Sequence, residues 1–186
     1  AESLELAKKI NAIILDKTGT ITKGKPTVTD LIWTEENDTL KQILVAIEKQ
    51  SEHPLAEAVV QYYKEESSVV IHHIESITGK GVKAHYNGAY YFVGNKKLLI
   101  ENGISISEKL EQQASKWLAE AKTVIWYADA KNALSVLAIA DEIKETSKAA
   151  IQELQKMNIE VYMLTGDNIN TAKAVAEKVG ITNYKG

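Results

Sequence analysis

The chain has 186 residues, enough for one large domain or two small ones. With 22 Lys and Arg against 25 Asp and Glu, the formal charge is −3, which argues against a general nucleic-acid binder. Zero cysteines exclude a disulfide scaffold, a thiolate metal site and a cysteine nucleophile. The longest apolar stretch, residues 133–140, falls far short of the ~20 residues of a membrane helix. The first residues lack a signal peptide's apolar region, so a soluble cytosolic unit is expected.

In chain order, residues 12–15 form a short unbroken apolar run, the pattern of a strand buried on both faces. Leu40, Ile43, Leu44 and Ile47 mark one face of a helix. Pro54 suits the first position of a second helix, which carries Leu55, Val59 and Tyr62 or Tyr63. Asn87-Gly88 between 81–86 and 89–93 predicts a hairpin, because that pair supplies the positive φ angles of a type I′ turn. A helix near 107–120 follows, then a second hairpin from 123–128 and 133–140. Ala150, Ile151, Leu154 and Met157 share a helix face, and residues 161–164 repeat the buried-strand pattern. Ala172, Val175, Ala176 and Val179 share another helix face, with Gly180 as its stop.

Both ends alternate strand and helix, as parallel α/β sheets do, while the middle mixes helices with antiparallel signals. The expected architecture is α/β. Residues 1–23 and 133–186 form a discontinuous parallel-sheet domain, interrupted by an α+β domain over 24–132 built on an antiparallel sheet.

Three constellations carry chemistry. Asp16-Lys17-Thr18-Gly19-Thr20 follows the first strand directly, where open α/β sheets collect ligands. A carboxylate there can attack a phosphoryl group and form an acyl phosphate. Lys17 can offset charge, Thr18 and Thr20 offer hydroxyls, and Gly19 lets backbone approach a phosphate. These five residues in this order arise by chance in fewer than about one in ten thousand chains of this length.

Thr165-Gly166-Asp167-Asn168 again lies between an apolar strand and a helix, so it is either an anion site or an ordinary capped turn. The third constellation is Ser51-Glu52-His53-Pro54, with Gly79-Lys80-Gly81 and Val93-Gly94-Asn95 further on. His53 can stack on a base or simply cap a helix, Glu52 can accept from an exocyclic amine, and the glycines serve either a flat ligand or turns. His72-His73 and His85 fall in strands whose successive side chains face opposite ways, so packed or exposed histidines are a simpler reading than a metal site.

In this order, the motifs resemble the cytosolic catalytic part of a P-type ATPase, and within that family the heavy-metal subclass, above all its copper-transporting members. DKTGT at 16–20 matches the family's phosphorylation motif in full. SEHPLA at 51–56, GKGV at 79–82 and VGN at 93–95 are similar to nucleotide-domain motifs of the heavy-metal subclass. TGDN at 165–168 resembles the later phosphorylation-domain motif.

The resemblance implies a haloacid dehalogenase-like phosphorylation domain, partial here, with an inserted nucleotide-binding domain. It implies ATP and Mg2+ as cofactors, with Asp16 accepting the γ-phosphoryl group. Asp16 and the Thr18 carbonyl would bind magnesium, Lys17 and Thr165 would contact the phosphoryl group, and Gly166 and Asp167 would shape its surroundings. Glu52 and His53 would hold adenine, while Gly79, Gly81, Gly94 and Asn95 would line the cleft. The same likeness implies a cytosolic piece of an integral membrane pump, with membrane helices and an actuator domain as partners, and no nucleic acid. The family's later glycine-aspartate segment is not in this sequence, so a monomer that binds ATP or ADP but phosphorylates Asp16 poorly or not at all is expected. Two rivals remain at this stage: a soluble haloacid dehalogenase-like phosphatase, and a nucleotide-binding module without catalysis.

Overall fold

A computed structural model describes residues 10–64, 67–166 and 169–185. In chain order the elements are β1 (Ala12–Asp16), β2 (Thr22–Trp33), α1 (Asp38–Glu48), α2 (Pro54–Tyr63), β3 (His73–Ile77), β4 (Gly81–Tyr86) and β5 (Ala89–Gly94). There follow α3 (Lys96–Glu101), α4 (Glu108–Ala119), β6 (Thr123–Asp129), β7 (Ala133–Ile143), α5 (Ser147–Lys156), β8 (Glu160–Leu164), α6 (Ile169–Val179) and β9 (Asn183–Lys185). They group into two compact units, one of residues 10–25 with 141–185 and one of residues 26–140.

The first unit holds a parallel sheet in the order β1-β8-β9. Its covered face presents Ile13, Leu15, Val161 and Met163 to Ile151 of α5 and to Ala172, Ala176 and Val179 of α6. Burial of that stripe holds the helices down. The expectation of strands buried on both faces is corrected here. Ile14 is 69% exposed and Leu164 50%, because among the described residues both crossover helices lie on the opposite face. A continuous apolar run therefore marks a strand without settling how many of its faces are covered. Gly180, at φ +82°, closes α6 with its N–H on the Ala176 carbonyl.

The second unit is organised on a six-stranded sheet ordered β2-β7-β6-β5-β4-β3. The turn between β4 and β5 has the left-handed angles its sequence demands, φ +48° at Asn87 and +80° at Gly88. One core packs Ile43, Leu44 and Ile47 of α1 and Val59 of α2 against Ala84, Val93, Tyr127 and Leu137. A second packs Leu98 and Leu99 of α3 and Leu110, Ala114 and Trp117 of α4 against Phe92, Trp126 and Val136. Alternate residues of each strand supply the two cores, as the period of a strand requires.

β2 is a twelve-residue strand that the sequence pattern leaves unmarked. It tolerates Pro26 because it lies at the sheet edge, where a missing N–H costs no ladder bond. Residues 130–132 join β6 to β7, and there Asp129 Oδ1 accepts the N–H groups of Lys131 and Asn132 at 2.7 Å each.

Candidate functional site

Asp16 closes β1 directly opposite Leu164 of β8. That register puts Asp16 and Thr165 side by side at the carboxyl ends of neighbouring parallel strands, where ligands of such sheets gather. Asp16 is exposed, whereas Lys17 and Thr165 are buried at 7% and 8% exposure. Gly166 is exposed. Asp167 and Asn168 lie outside the described residues.

The turn Lys17–Ile21 is a built loop. Gly19 takes φ +76°, and Gly24 at φ +74° comes so near that a Cβ there would stand 3.0 Å from Gly19 Cα. Thr22, fully buried, accepts the Gly19 N–H at 3.3 Å and donates to Asp141 Oδ2 at 2.5 Å. Asp141 Oδ1 takes the Gly24 N–H at 2.9 Å. Lys144 Nζ donates to the Gly19 carbonyl, and Ser147 Oγ to that of Ile21 at 2.7 Å. Sequence reasoning missed Asp141, Lys144 and Ser147, since nothing local ties them to a loop more than a hundred residues earlier.

The third constellation assembles within the second unit, around a cavity of about 450 Å³. His53, Gly79, Gly81, Gly94 and Asn95 all line it. His53 is the N-cap of α2, its Nδ1 accepting the Leu55 N–H at 3.2 Å. That bond leaves the ring proton on Nε2 and fixes the imidazole at the helix end. Gly81 and Gly94 are register partners on β4 and β5. A Cβ on Gly81 would lie 2.1 Å from the Val93 carbonyl oxygen, and one on Gly94 2.1 Å from that of Lys80, so only glycine fits either place. Asn95 caps α3 through Oδ1 and clasps the Gly79 carbonyl through Nδ2 at 2.9 Å.

Glu52 is exposed and is not among the lining residues; Glu48, one turn earlier at the end of α1, is. Glu48 is 5% exposed, and burial pushes its carboxyl up to about 7. The signal was present in the sequence. Glu48 stands four residues after Leu44, on the apolar stripe of its helix, where a charge needs a reason. A cavity with one buried carboxyl, one oriented imidazole and close-approaching backbone suits a flat heteroaromatic ligand bearing an amine.

Residues 10–185 match the haloacid dehalogenase-like hydrolase family. The chain belongs to that family. It is 44% identical over 190 residues to a probable copper-transporting ATPase of Synechocystis sp., covering 97% of this chain and 26% of that protein. It is 42% identical over 182 residues to a copper-exporting P-type ATPase of Staphylococcus aureus, covering 97% of this chain and 22% of that one. A solved zinc-transporting PIB-type ATPase in an E2·Pi state matches with a TM-score of 0.80 at 26% identity, over 98% of this chain and 30% of that one. This haloacid dehalogenase-like chain thus spans about a quarter of the length of the curated relatives it matches. The strand-end carboxylate of Asp16 and the inserted unit with its cavity both lie inside the matched region.

Proposed function

We propose that this chain is the ATP-binding and phosphorylation part of a heavy-metal-transporting P-type ATPase that moves copper. The observation that carries this reading is the cavity joining Glu48, His53 and the Gly81–Gly94 pair. Adenine packs against His53 at the start of α2, and the Glu48 carboxyl accepts from its exocyclic amine. The sugar and phosphates run along the glycine-walled side, where backbone is closest.

At the strand end, an oxygen of the Asp16 carboxylate forms a bond to the γ-phosphorus as the bond to the β,γ-bridging oxygen breaks. ADP leaves with that electron pair, and an aspartyl phosphate remains. Positioning and charge neutralisation are the main demands of such a transfer. Lys17 and Thr165 flank Asp16 and serve both. The donor set fits magnesium, since the Asp16 carboxylate and Thr18 carbonyl are hard oxygen ligands. Among the described residues no cluster of three or more His, Cys, Asp or Glu suited to a metal occurs, and Asp16 and the Thr18 carbonyl would hold the ion. When bound, that ion supplies charge neutralisation to the transferring group.

In this reading the chain is the cytosolic part of a membrane pump and works with membrane helices and an actuator domain elsewhere in the longer protein. No described helix is itself long and apolar enough to cross a membrane. The test is transfer of label from γ-radiolabelled ATP to the longer protein. An acid-stable, hydroxylamine-sensitive phosphoenzyme that disappears with Asp16→Asn is the expected result. Turnover of simple phosphate esters without ATP dependence would point to the phosphatase reading.

A further inference from the structure

The cavity wall holds one lysine whose partner is a carboxylate outside the cavity. Lys80 lies between Gly79 and Gly81 and, among the described lining residues, is the only lysine or arginine. Its Nζ is 2.5 Å from Glu101 Oε2, at the end of α3. We propose that Lys80 is a phosphate ligand held in reserve by Glu101, released when a nucleoside di- or triphosphate occupies the cavity. The inference rests on the nucleotide reading above and adds a residue that sets the preference for polyphosphates.

Three observations support it. First, the backbone here is fixed, so only the side chain can respond. The Lys80 N–H donates to the Ile77 carbonyl at 2.9 Å, the Lys80 carbonyl accepts the Asn95 N–H at 2.8 Å, and Gly94 leaves no space behind it. Second, the ion pair is solvent-accessible, with side chains 28% and 41% exposed, and pairs of that kind are weak. The hydrogen bond from the Lys80 ammonium holds the Glu101 carboxyl below its ordinary value. Third, Glu101 keeps a second cation. Lys97 Nζ stands 3.9 Å from Glu101 Oε1, so releasing Lys80 does not strand an unpaired charge. A polyphosphate carries more negative charge than one carboxylate and competes for the ammonium; a monophosphate competes less well.

The experiment is calorimetric titration of the chain with ATP, ADP and AMP, repeated on Glu101→Gln, Lys80→Met, Lys80→Arg and His53→Ala. Glu101→Gln should tighten ATP about two- to fivefold and leave AMP within about twofold, the range expected from an exposed ion pair. Lys80→Met should shrink the ratio of ATP to AMP affinity, and Lys80→Arg should retain most of it. His53→Ala should weaken all three nucleotides alike. If Glu101→Gln and Lys80→Met both keep the wild-type ratio, the Glu101 latch on Lys80 is overturned while the nucleotide reading stands. If the wild-type chain binds none of the three, both fall.

Discussion

Asp141 and Thr22, 119 residues apart in the chain, meet at 2.5 Å beneath the loop that follows Asp16. The Thr22 hydroxyl has one proton, and it lies within reach of both Asp141 Oδ2 and the Lys17 carbonyl, 3.0 Å away. One carboxylate therefore holds the outgoing arm of the loop at two points, the Thr22 hydroxyl and the Gly24 N–H, while Thr22 reaches back to the Gly19 N–H. Asp141 thus secures the chain just after the loop that follows Asp16.

Removing that anchor leaves the Gly24 N–H short of a partner and the Thr22 hydroxyl with the Lys17 carbonyl as its remaining acceptor. Asp141→Ala should lower stability by about 1–3 kcal/mol, and Asp141→Asn, which keeps an acceptor, by less. Urea unfolding with an unchanged m value checks this. Equal midpoints for wild type and Asp141→Ala would show that the anchor contributes nothing.

The paired glycines of β4 and β5 make a second prediction. Gly81→Ala and Gly94→Ala each push a methyl into backbone carbonyl oxygen at 2.1 Å, so each should cost more than about 2 kcal/mol. At Gly79 a methyl meets open space, and only its φ of +70° opposes it, for about 1 kcal/mol. Thermal unfolding of the three variants should rank them in that order.

Glu48 gives the chain a pH signature. Burial raises its carboxyl from 4.5 in the unfolded chain to about 7 when folded. Between those values the folded state binds more protons, so stability falls as pH rises through that window and levels off above it. The difference is worth about 3 kcal/mol at most. Glu48→Gln carries no titrating group, so its stability relative to wild type should grow from pH 4.5 to pH 7. A constant difference across that window would contradict the raised carboxyl at Glu48.

What the sequence made legible was local chemistry. Asn87-Gly88 announced its turn, Pro54 its helix start and Asp16 its strand end, because each depends on a few adjacent residues. β2 was hidden because Gly24 and Pro26 read as punctuation, and only its edge position makes them acceptable in a strand. The naked face of β1 and β8 was hidden because an apolar run does not say which helices cross which face. In the cavity, His53 and the glycines were visible as motifs, but the carboxyl beside them was sought at Glu52 rather than Glu48. Glu48 follows the buried stripe of α1 and lines the cavity, whereas Glu52 lies beyond that helix's end and is exposed.

The most direct test of the central claim is an NMR titration of this chain with ATP and AMP, wild type against His53→Ala. Shifts clustered at Glu48, His53, Gly81 and Gly94, with affinity falling about tenfold or more in the mutant, are predicted for a base held by an oriented imidazole. Nucleotide shifts mapping elsewhere, or unchanged affinity in His53→Ala, would contradict it.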